Sequence, residues 1–76
     1  MNYDEAMRWL EAIGGAHEIV HEAGGKDVVV VSVSSATRGK VSRRTSLDAC
    51  LVGHARDAAF RTAFALACGE LKLALS

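Results

Sequence analysis

The first apolar rhythm in the chain is helical. Ala6, Leu10 and Ile13 recur at i, i+4 and i+7, flanked by Met7 and Trp9, a spacing that lines one face of a helix. Asn2 followed three residues later by Glu5 has capping-box spacing, and Asp4 and Glu5 suit the positive end of the helix dipole. Gly14-Gly15 stops this helix. From Asp27 to Ser35 the rhythm is different. The run DVVVVSVSS is β-branched and stiff at χ1, and its continuity followed by alternation predicts a central strand, buried on both faces over its first half. Arg38-Gly39-Lys40 reads as a turn, with Val41 to Thr45 as a polar, basic returning strand at a sheet edge. From Ser46 the pattern is helical again. Alanine is frequent, Phe60 and Phe64 are four apart, and Ser46 or Asp48 can cap. Gly53 is read as a kink or a division of this helix, and Gly69 as its C′ residue. The tail Leu71, Leu73, Leu75 alternates as a short C-terminal strand would, and equally continues a helix; the reading leans to a helix with a loose end.

Residues 16–23, AHEIVHEA, fit both periods. Ala16, Ile19, Val20 and Ala23 make a helical stripe, while a strand puts His17, Ile19 and His21 on one face. Context favours the strand. The segment lies between two glycine pairs, an eight-residue helix is marginal by itself, and Gly24-Gly25-Lys26-Asp27 is a natural hairpin turn into the valine run. The order is then α-β-β-β-α: an α+β, two-layer domain over residues 1–76, with a three-stranded antiparallel sheet and both helices packed on one face. This layout resembles the double-stranded-RNA-binding domain in topology. That family opens its second helix with a lysine-rich K-K-x-A-K motif that clamps phosphates, and the corresponding TSLDACL here has no lysine.

Composition sharpens the class. The chain is half hydrophobic, 24% charged and free of proline, a globular profile well away from that of disordered chains. Seventy-six residues lie near the lower limit for folding alone. So much apolar surface in so small a domain predicts a homodimer or an apolar patch held for a partner. Formal net charge is zero, yet residues 28–47 carry Arg38, Lys40, Arg43 and Arg44 with no acid. Cys50 and Cys68, if both on one helix, stand roughly 27 Å apart at 1.5 Å per residue, beyond any disulfide. Two reduced thiols, no run of 18 apolar residues and no signal peptide ahead of the first helix give the expectation of a cytoplasmic protein without membrane contact.

The most specific chemical pattern is His17-Glu18-Ile19-Val20-His21, with Gly24 and Asp27 following at three-residue steps. The extended H-E-x-x-H-x-x-G-x-x-D spelling resembles the zinc helix of the metzincin-like proteases. On a helix the two histidines reach one Zn²⁺ and the glutamate acts as base on its water. Only sixteen residues precede His17, however, and Met1 and Met7 both lie upstream, where that family needs a methionine turn downstream. The expectation is therefore no metal, no cofactor and no catalytic set. Arg38, Lys40, Arg43 and Arg44 are the candidate partner- or phosphate-binding residues. Phe60 and Phe64 form a core or a dimer seam, and His54 lies on a helix surface. Arg43-Arg44-Thr45-Ser46 spells a basophilic kinase site, a frequent match. Gly39-Lys40 lacks the loop and following hydroxyl of a P-loop, and no G-x-S-x-G or C-x-x-C is present.

The function these features predict is non-enzymatic binding of a macromolecular partner, with protein first and nucleic acid at the basic hairpin as the alternative. A zinc hydrolase is the third reading. In size and style the chain resembles phage-encoded inhibitors of bacterial defence systems, the anti-CRISPR proteins, which act by binding a larger protein.

Overall fold

The computed structural model covers residues 1–76 and has the order α1 (Tyr3–Ala12), β1 (Ala16–Glu22), β2 (Lys26–Ser35), β3 (Gly39–Asp48), α2 (Gly53–Leu75). The three strands pair antiparallel in the order β1-β2-β3, and both helices pack on one face. The α+β, two-layer architecture is as the periodicities predict.

Asn2 caps α1, its side-chain oxygen accepting from Glu5 N–H at 2.9 Å. At the other end Gly15 N–H bonds Leu10 O at 2.9 Å and Gly14 N–H bonds Glu11 O at 3.1 Å, the paired bonds of a Schellman motif. Gly14 takes the left-handed conformation that motif needs (φ 71°). The chain then enters β1 directly. Val29, Val31 and Val33 of β2 point to the helices and form one core with Ala6 and Leu10 of α1, Leu47 of β3, and Ala63, Phe64, Ala67, Cys68 and Leu71 of α2. Val28 points to the opposite, open face and is nonetheless only 6% exposed. There Arg44 Nη2 meets Glu22 Oε1 at 2.6 Å, an ion pair running diagonally from β3 to β1 across the position of Val28 in the register. The double-sided burial expected of the first valines is thus largely present.

Three boundary expectations are corrected. The third strand does not end at Thr45: Ser46, Leu47 and Asp48 continue the ladder opposite Val28, Asp27 and Lys26, because alternation carries Leu47 into the core. Asp48 then accepts from Cys50 N–H at 2.8 Å and shapes the turn, so the second helix starts at Gly53 and Gly53 neither kinks nor divides it. Cys50 accordingly lies in the connector, not on the helix. Gly69 is interior to α2, since the buried Cys68 and Leu71 beside it outweigh the roughly 1 kcal/mol that glycine costs a helix. The tail is helical, the reading to which its leucines lean, and the alternative C-terminal strand does not form. Leu71 continues the buried stripe of Phe64, Ala67 and Cys68 at helical spacing, and α2 runs on to Leu75.

Candidate functional site

Residues 16–23 belong to a strand and turn, and this decides the geometry of the histidines. His17 and His21 share one face of β1 at four residues' separation, roughly 13 Å at about 3.3 Å per residue, so they cannot share one ion as they do on a protease helix. His17 instead stacks edge-on to Phe64 at 5.1 Å, in a cluster with Tyr3 and Phe60. His21 is opposite Asp27 in the hairpin. Its Nδ1–H donates to Asp27 Oδ1 at 2.7 Å, while Arg56 Nη2 of α2 donates to Asp27 Oδ2 at 2.7 Å. Asp27 is 4% exposed. The hydrogen bond from Arg56, then that from His21, hold its carboxyl below the ordinary value, against the opposing effect of burial. One buried carboxylate therefore ties β1, β2 and α2 together. The side-chain hydrogen bond of His21 is made through Nδ1, so the network orients its imidazole against Asp27.

The basic hairpin is divided by the pleat. Lys40 and Arg44 lie on the open face and Arg43 on the helix side. Arg38 donates to the Ala74 carbonyl at the end of α2, Arg43 to the neighbouring Ser42 carbonyl at 2.7 Å, and Arg44 is paired with Glu22. Of the four, only Lys40 makes no such bond. The sequence places these charges together, and the structure assigns three of them to intramolecular partners. Phe64 is fully buried and Phe60 half-buried at the rim of the core.

The largest concave surface lies elsewhere, where the start of α1 meets the outer face of α2. This groove of about 550 Å³ is lined by Met1, Tyr3, Thr62, Leu66, Gly69 and Leu73 among others. Leu66 is 57% exposed and Leu73 76%. They fall outside the buried stripe of α2, so this helix is apolar on two sides, and one of them has no intramolecular cover. Arg61 and Glu70 flank the groove, and Arg61 lies over the Tyr3 ring at 4.8 Å. Sequence reasoning missed Leu66 and Leu73. The signal was there: with Phe64, Ala67, Cys68 and Leu71 assigned to one face, two leucines at a seven-residue spacing remain. No helix is long and apolar enough to cross a membrane. No family model, no curated protein and no solved structure matches the chain, so its own geometry carries the functional reading.

Proposed function

We propose that the protein is a small non-enzymatic binding protein whose macromolecular partner is another protein, docked along the outer face of α2. The observation that supports this reading is the groove of Leu66 and Leu73, open to solvent in a domain whose core holds barely a dozen apolar residues. Contiguous apolar surface rimmed by polar groups is where protein partners bury leucines and aromatic anchors. Inhibition of a larger enzyme, in the manner of phage-encoded inhibitors, is one form this binding takes.

The test is a paired retention experiment with the wild-type protein and the double variant Leu66→Glu, Leu73→Glu. Both leucines are exposed, so the variant keeps its fold, checked by circular dichroism. The wild type retains a partner at one-to-one stoichiometry and the variant retains less than about a tenth of it, as expected when anchors worth ~2 kcal/mol each are lost. Equal retention by the two proteins, or none by either, overturns the proposal.

A further inference from the structure

The outer edge of β1 has a property the groove does not: its sequence selects a partner. β1 is seven residues long, terminal in the sheet, and paired with β2 without a bulge through every residue from Ala16 to Glu22. No backbone or side-chain hydrogen bond satisfies its outer row. Neither proline nor lysine occurs in it, two of the usual blocks to edge-to-edge pairing. The opposite edge, β3, is blocked by Lys40, Arg43 and Arg44 within five residues. Ile19, at the middle of β1, is 38% exposed.

We infer that two copies of this chain join through β1 in an antiparallel, two-fold pairing centred on Ile19, giving one six-stranded sheet. In such a pairing each residue faces a symmetry mate on the same side of the sheet, so the axis must pass a residue that faces itself. Centring on Glu18 sets the two Glu18 carboxylates against each other. A centre at Val20 opposes Glu18 to Glu22 twice. Centres at His17 or His21 leave much of the strand unpaired. The Ile19 centre alone uses all seven residues and opposes no acids: Ile19 faces Ile19, Glu18 faces Val20, His17 faces His21 and Glu22 faces Ala16. Directly opposed like charges destabilise a sheet, and opposed β-branched residues stabilise it. Length, edge chemistry and charge pattern thus converge on one occupant and one register. This interface is separate from the α2 groove and does not depend on it.

Light scattering and sedimentation at high micromolar concentration test the inference. The wild type has twice the 8.0 kDa chain mass. Val20→Glu faces Glu18 of the other copy in two symmetric places and weakens the dimer at least about tenfold. Adding Glu18→Lys to Val20→Glu converts both repulsions to ion pairs and restores the dimer, a rescue that a Glu18-centred register, with the two introduced lysines facing each other, does not deliver. Urea unfolding of each variant confirms that the monomer fold is intact. A monomeric wild type overturns the inference, as does a dimer indifferent to Val20→Glu or one not recovered by the second substitution.

Discussion

Gly15 stands where α1 passes the chain to the sheet. A Cβ at this position would lie 2.4 Å from Leu10 Cδ1 and 3.0 Å from Ser32 O. Leu10 is held in the core and Ser32 O is backbone, so neither yields cheaply. Gly15→Ala therefore destabilises by about 1–3 kcal/mol, the usual cost of overpacking. Gly69 is the counter-case, because it lies inside a helix with open space where a Cβ would go. Gly69→Ala stabilises by roughly 0.5–1 kcal/mol. Urea midpoints measured together should move in opposite directions. The sequence announces a stop at Gly14-Gly15, but not which glycine is fixed by turn geometry and which by a neighbour. Asp27 was equally half-legible. It shares parity with Val29, Val31 and Val33, which marks it as facing the core. Its partner Arg56 is twenty-nine residues away, and no local pattern connects the two.

Among the elements, α1 was readable from its cap and stripe and β2 from its valines, whereas β1, whose residues fit both periods, was readable only from its glycine fences. The β3–α2 boundary was not, because Ser46, Leu47 and Asp48 suit a helix start as well as a strand end. Only the pairing with β2 decides it. This boundary also separates the cysteines chemically. Cys50 is exposed in the connector, whereas Cys68 is buried on α2, where burial pushes its thiol up to about 11. A thiolate-selective reagent at mildly alkaline pH should modify one thiol quickly. The second should react only at the rate of unfolding. Cys50→Ser should remove the fast phase and leave the slow one, and rapid modification of both thiols would contradict this placement.

For the molecule as a whole, the shared carboxylate makes stability depend on pH in acid. The folded-state value of Asp27 lies below its ordinary 3.8, so the unfolded chain binds the proton more readily. The contribution of Asp27 is therefore complete above the ordinary value and is lost as pH falls through the lowered folded one. Urea midpoints should decline with acidification below 3.8. Asp27→Asn should be less stable at neutral pH and show a shallower decline over the same acid range; parallel curves would remove Asp27 as the cause.

The ties at the two ends of α2 have a dynamic consequence. Arg56, one turn into the helix, is held by Asp27, and the carbonyl of Ala74, near its last residue, accepts from Arg38 of the β2–β3 turn. Helix ends ordinarily fray first, since their terminal carbonyls and amides lack partners along the helix. Here both ends are fastened to the sheet. Between these two ties α2 should open as one cooperative unit, its hydrogen-bonded amides exchanging with solvent at a common slow rate, while the uncapped amides ahead of Arg56 exchange fast. Local breathing is left to the connector from 49 to 52 and to the unpaired border of β1.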